Sequence, residues 1–131
     1  MDGPVPAARP DLGPCWVWMA GKSPTGYGYV YDESRVHRLV HRVSYELSIG
    51  PIPGGLEIDH LCRERSCANP EHLEAVTRRE NVLRSDSVAA HRARQTHCVH
   101  GHEFTAQNTY RHQGRRYCRA CRSRRDAARR R

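Results

Sequence analysis

The sequence predicts a small α+β protein held together by metal rather than by a large apolar core, and three observations predict it. Only 37% of the 131 residues are hydrophobic and 7% aromatic, too few for one self-sufficient core. Apolar residues recur at two-residue spacing in some stretches and at three- and four-residue spacing in others, the periods of strands and helices. Six cysteines stand at short spacings among nine histidines.

The elements follow in chain order. Residues 1–14 carry Pro4, Pro6, Pro10 and Pro14 with little apolar content and are expected to form a disordered arm. Trp16 and Trp18, then Tyr27, Tyr29 and Tyr31, alternate on either side of a turn at Gly21 to Gly26, which reads as a short two-stranded element. Val36, Leu39, Val40, Val43 and Leu47 form the stripe of an amphipathic helix that Gly50 and Pro51 stop. Leu56 to His60 alternates as a half-buried strand, and His72 to Val76 reads as a second one. Thr77 and Glu80 fit a capping box, so a helix is expected from Arg78 with Asn81 in its first turn. Residues 85–96 read as a linker, and a second unit spans 97–131, with Tyr110, Gly114 and Tyr117 suited to a hairpin.

Three disulfides are the alternative to metal for six cysteines. The opening residues lack the basic-then-apolar profile of a secretory signal, so a soluble, intracellular protein with metal sites is expected. Zinc favours four tetrahedral N or S ligands drawn from short-spaced pairs. Cys98 and His102, then Cys118 and Cys121, supply one such set, with His97 and His100 near enough to compete for the histidine position. Cys62, Cys67 and His72 bracket the loop between the two expected strands, and Cys15, the remaining cysteine, completes a second set. Both sites would be closed and structural.

Between these ligands lie Asp59-His60, Asn69 and Asn81. The order His60, Cys62, Cys67, His72, Asn81 resembles the His-Cys box of zinc-stabilised homing endonucleases, within the HNH or His-Me finger nucleases. The stretch HRVSYELSIGPIPGGLEIDHLCRERSCANPEHLEAVTRRENV is similar to HNH endonucleases of bacteriophages. The resemblance implies a zinc-stabilised ββα-metal (His-Me finger) nuclease domain at 15–84 with an added zinc unit. It implies cleavage of phosphodiester bonds to 5′-phosphate and 3′-hydroxyl ends, with one divalent ion such as Mg²⁺ at the scissile phosphate. An imidazole with an ordinary pKa of about 6.5 suits His60 as general base. Asp59 and Asn81 offer oxygen ligands to a hard cation. Asn69 is implied to brace the loop beside His60. An arginine assisting the phosphate is also implied, with Arg38 and Arg42 as candidates. Both, like His37 and His41, read equally as solvated positions of a helix face.

Charge divides the chain. Residues 1–90 hold 10 Lys and Arg against 12 Asp and Glu, whereas residues 91–131 hold 12 against 2. Such a segment attracts a polyanion, and Arg115, Arg116, Arg119, Arg122, Arg124 and Arg125 are the expected contacts to double-stranded DNA. No apolar stretch is long enough to span a membrane, and a cytoplasmic location in a bacterial or phage-infected cell is expected. The resemblance implies homodimers for the homing enzymes, although no dimerisation segment is evident; phage packaging and host DNA-processing proteins are candidate partners that no motif selects. The competing functional class is a zinc-finger protein that binds DNA or RNA without catalysis. It accounts for the zinc ligands and the charge but not for Asp59-His60 and Asn81.

Overall fold

The computed structural model describes residues 3–130; the first two residues of the expected arm and the last of the basic tail lie outside the described residues. The architecture is mixed α and β, with short two-stranded antiparallel sheets and, among the described residues, four α-helices, divided into units Met1–Ser85 and Asp86–Arg131. Among the described residues no helix is long and apolar enough to cross a membrane.

In the first unit, β1 (Tyr29–Tyr31) pairs with β2 (His37–Leu39), and α1 (Val40–Ser48) follows directly. This corrects two expectations. The turn at Gly21 to Gly26 does form a pairing, with Lys22 bridging Gly28 and Tyr29 N–H donating to Gly21 O at 3.0 Å, but the tryptophans pair elsewhere. Past Tyr31 the Asp32 carboxylate accepts from the amides of Ser34 and Val36 and closes a tight turn that folds β2 back. The helix accordingly begins at Val40 rather than Val36, and two members of the expected apolar stripe, Val36 and Leu47, are exposed. The tryptophan segment instead crosses the cysteine loop: Trp18 N–H donates to Ser66 O at 2.8 Å and Ala68 N–H to Trp16 O at 2.8 Å. Trp18 packs against Gly28, where an added Cβ would come within 2.8 Å of the indole.

β3 (Leu56–His60) and β4 (Leu73–Thr77) form the central hairpin, in register from Leu56 opposite Thr77 to His60 opposite Leu73. α2 (Arg78–Arg84) starts at the expected capping box: the Thr77 side chain accepts from Glu80 N–H, and the Glu80 carboxylate accepts from Thr77 N–H. The apolar core is small. Val40, Ile58, Leu73 and Val76 are buried, but the most deeply buried large side chains are His72, Cys15 and Cys67.

The arm over residues 3–14 is ordered, contrary to expectation. Gly3 N–H donates to Cys15 O at 2.7 Å, Cys15 N–H to Pro4 O at 3.2 Å, and Leu12 packs on the buried cysteines. Proline richness limits the entropy that the arm loses on docking, which composition alone does not reveal.

In the second unit, α3 (Val88–Arg94) occupies much of the expected linker, capped by the Ser87 hydroxyl accepting from Ala90 N–H. β5 (Thr109–His112) and β6 (Arg115–Cys118) form a hairpin whose two turn residues, Gln113 and Gly114, have φ of 47° and 71°, the left-handed pair that a tight hairpin requires. α4 (Arg119–Arg129) carries the basic tail.

Replacing Thr77 with alanine removes the cap that starts α2 and is expected to cost about 1 kcal/mol. Urea denaturation checks this as a lower midpoint with an unchanged slope.

Candidate active site and metal centres

Two groups of side chains converge with the geometry of metal ligands. Cys15, Cys62, Cys67 and His72 are all buried and bring their ligand atoms within 4.8 Å of one another, as do Cys98, His102, Cys118 and Cys121 in the second unit. Zn–S bonds of about 2.3 Å and Zn–N bonds of about 2.0 Å in a tetrahedron give S···N edges of about 3.5 Å and S···S edges of about 3.8 Å. In the first group Sγ of Cys15 and of Cys67 lie 3.6 and 3.5 Å from His72 Nδ1. In the second, the three sulfurs lie 3.3–3.8 Å from His102 Nδ1, and Cys98 Sγ is 3.6 Å from Cys121 Sγ. The donor sets therefore fit zinc. His102, not His100 or His97, belongs to the second group.

Surrounding groups prepare the ligands. His72 Nε2 faces Leu12 O at 2.8 Å, and because a carbonyl only accepts, that nitrogen carries the proton and leaves Nδ1 free to ligate. The Cys67 thiol is pulled down to about 5, chiefly by hydrogen bonding from Cys62 and then by the Asn69 N–H, against the opposing effect of burial. In the second unit the Asn108 side-chain amide donates to Glu103 O and to Cys118 Sγ.

Beside the first group, alternation along β3 directs Asp59 and His60 to opposite faces. His60 is 5% exposed, and its Nε2 donates to Cys67 O at 3.1 Å, so in the neutral ring Nδ1 is the unprotonated nitrogen. Burial lowers its pKa, opposed by the Cys67 carbonyl. The His41 ring meets His60 edge to face at 4.7 Å, with Tyr27 against both. His41 is therefore not on a solvated helix face: it is buried, its Nδ1 has no hydrogen-bond partner, and burial, then His60 and Arg42, push its pKa down to about 3.

On the other face, α2 meets Glu57 and Asp59. Asn81 Nδ2 donates to Glu57 at 2.8 Å, a bond that commits its amide nitrogen and not its carbonyl oxygen. Asp59 is 4% exposed; Arg63 donates to its Oδ1 at 2.7 Å, and Arg84, also paired with Glu74, stands 3.6 Å from Oδ2, which accepts no hydrogen bond. Asn69 is buried, with Oδ1 accepting from Glu71 N–H and Nδ2 donating to Pro14 O. Arg42 lines a shallow groove with Asp32, Val36, His37, Arg38 and Leu39, and Arg38 is tied to Glu46. Sequence reasoning missed Arg63, Arg84, Glu57 and the buried place of His41. The available signal was spacing, since Arg63 follows Asp59 by four and Arg84 follows Asn81 by three.

Residues 38–83, from β2 to α2, match a family model described as HNH endonuclease. That stretch is similar to HNH endonuclease domains. Phage proteins resemble it. The uncharacterized gene 5.3 protein of Enterobacteria phage T3 is 42% identical over 50 residues, covering 38% of this chain and 50% of that protein. Protein 7.7 of Escherichia phage T7 is 33% identical over 67 residues, covering 51% of each. Protein 2.8 of the same phage is 36% identical over 69 residues, covering 51% of this chain and 45% of that protein. The chain thus spans about half the length of the curated relatives it matches. No solved structure gives a significant match. Outside residues 38–83 lie the second cysteine group and most of the arginines.

Two predictions concern this geometry. Deleting residues 1–12 removes the carbonyl that orients His72 and is expected to weaken zinc binding at the first site about 10- to 100-fold in a chelator competition. The depressed His41 pKa sets a pH dependence. The unfolded chain takes up a proton below the ordinary value of about 6.5, but the folded chain does not until about 3, so stability falls on acidification through that window. Denaturation at pH 7 and pH 5.5 should show the wild type losing about 1 kcal/mol more than a His41→Leu variant.

Proposed function

We propose that this protein is a metal-dependent DNA endonuclease in which His60 is the general base. The observation that carries this reading is the hydrogen bond from His60 Nε2 to Cys67 O, which makes Nδ1 the proton acceptor, one residue along β3 from a carboxylate suited to a hard cation. The buried Asp59 Oδ2 without a hydrogen bond and the Asn81 carbonyl oxygen fit such an ion. A divalent ion there, Mg²⁺ or similar, would supply charge stabilisation at the phosphate and at the departing oxygen.

His60 Nδ1 accepts a proton from water as the water oxygen bonds to phosphorus. The P–O3′ bond breaks, and the 3′ oxygen leaves as a hydroxyl once protonated, so the other end keeps the 5′-phosphate. His41 and Tyr27 wall the imidazole and hold its plane. Cys15, Cys62, Cys67 and His72, and Cys98, His102, Cys118 and Cys121, would hold zinc, and the first group would keep His60 aligned through Cys67.

The second unit serves as the DNA anchor, but its arginines are not equivalent. Arg116 is committed internally, donating to Arg92 O and Gln95 O and lying 4.0 Å over the Phe104 ring. Arg119 and Arg122 flank Tyr110, which stacks on Tyr117 at 5.2 Å. Arg115, Arg124 and Arg125 are exposed and are the residues best placed for phosphates.

In nicking assays on supercoiled plasmid, His60→Ala should lower the cleavage rate by roughly 10² to 10⁴, with zinc content and DNA affinity retained and wild-type activity lost in EDTA. A wild type that binds DNA but cuts none under any divalent ion would favour the non-catalytic binding protein. Replacing Arg115, Arg124 and Arg125 together with glutamine should reduce the slope of log affinity against log salt by about 2 to 3. Fluorescence anisotropy across a salt series measures it.

A further inference from the structure

The Asp59 carboxylate is buried, and an uncompensated charge there would be costly. Two guanidinium groups compensate it, on different terms. Arg84 also pairs with Glu74, whereas Arg63 has Asp59 as its ion-pair partner at 2.7 Å. The backbone is bent to make that contact. Arg63 N–H donates to His60 O at 3.1 Å, closing a turn in which Arg63 takes φ of 61°, a left-handed conformation that non-glycine residues rarely adopt. The turn returns the side chain to the carboxylate four residues earlier. The Arg63 side chain keeps 45% of its surface exposed against 4% for Asp59, so the cation covers the carboxylate from the solvent side and has room to leave.

We propose that Arg63 is the resident counterion of Asp59, which yields the carboxylate to an incoming divalent ion and then turns to the scissile phosphate. The inference rests on the reading of Asp59 as an ion ligand. A guanidinium and a divalent cation within a few ångströms repel each other, so both cannot share one carboxylate without weakening the cation's binding. Once displaced, the planar fork of Arg63 suits two oxygens of a phosphate, and its short tether keeps it beside the reacting group. One side chain would thereby neutralise the acid in the free protein and the phosphate in the complex.

The test uses the full zinc-loaded chain without DNA and Mn²⁺ as the probe, titrated by calorimetry. Arg63→Gln keeps a hydrogen-bond donor for Asp59 but removes the charge. It should bind Mn²⁺ about tenfold more tightly than wild type, while Asp59→Asn abolishes this binding. At saturating Mn²⁺, Arg63→Gln should cut supercoiled plasmid at least about tenfold more slowly in single turnover. Mn²⁺ affinity no tighter than wild type, or an unchanged cleavage rate, overturns the proposal. If the glutamine variant loses zinc, Arg63→Ala carries the same comparison. Binding insensitive to Asp59→Asn would instead remove Asp59 as an ion ligand, and this inference with it. Binding that Asp59→Asn abolishes but Arg63→Gln leaves unaltered refutes only the role of Arg63.

Discussion

Cys67 is the residue on which the first unit depends, because it joins three constraints. Its sulfur lies in the buried Cys/His group, its carbonyl takes the proton of His60 Nε2, and its backbone bridges to Val17, which brings Cys15 into place. The thiol, held down at about 5, is suited to ligate as thiolate. The carbonyl of a residue in that group thus meets the imidazole whose other nitrogen is proposed to accept the proton. Loss of zinc would loosen that loop and the His60 tautomer together.

The same constraint explains how a unit with so few buried apolar side chains holds its shape. Val40, Ile58, Leu73 and Val76 cannot by themselves offset the chain entropy of 85 residues. A metal held by Cys15, Cys62, Cys67 and His72 would close long loops at one point, and its binding free energy would become folding free energy. The arm adds to this by shielding His72 and supplying the Leu12 carbonyl. The second unit repeats the solution at smaller scale, with Asn108 tying the Cys118 sulfur to the segment after His102.

Much of this was legible in the sequence where one residue type has one physical use. Cysteine and histidine spacing located both groups, elimination placed Cys15, and the capping box fixed the start of α2. The failures share a cause. The apolar stripe from Val36 was read without the Asx turn at Asp32, which commits residues 37–39 to a strand before the helix starts. Proline content suggested a mobile arm because the docking surface, a set of cysteines far along the chain, is non-local. His41 and Arg63 were invisible for the same reason. A histidine or arginine in a polar stretch reads as solvated until packing shows what stands beside it.

The place of Asp59-His60 at the end of β3 matters as much as its composition. In the middle of a strand, adjacent residues face opposite sides of the sheet, and a single phosphate could not meet both. Here the hairpin stops at His60 and Leu73, and the chain turns at once through Leu61 to Arg63. Beyond that edge no backbone separates the two faces, so a carboxylate supported by α2 and an imidazole supported by α1 and the cysteine loop can address one ligand from two directions. The loop that carries Cys62 and Cys67 is also the loop that ends the strand, and under the proposed function it would determine whether His60 and Asp59 are separated by a sheet or share its edge.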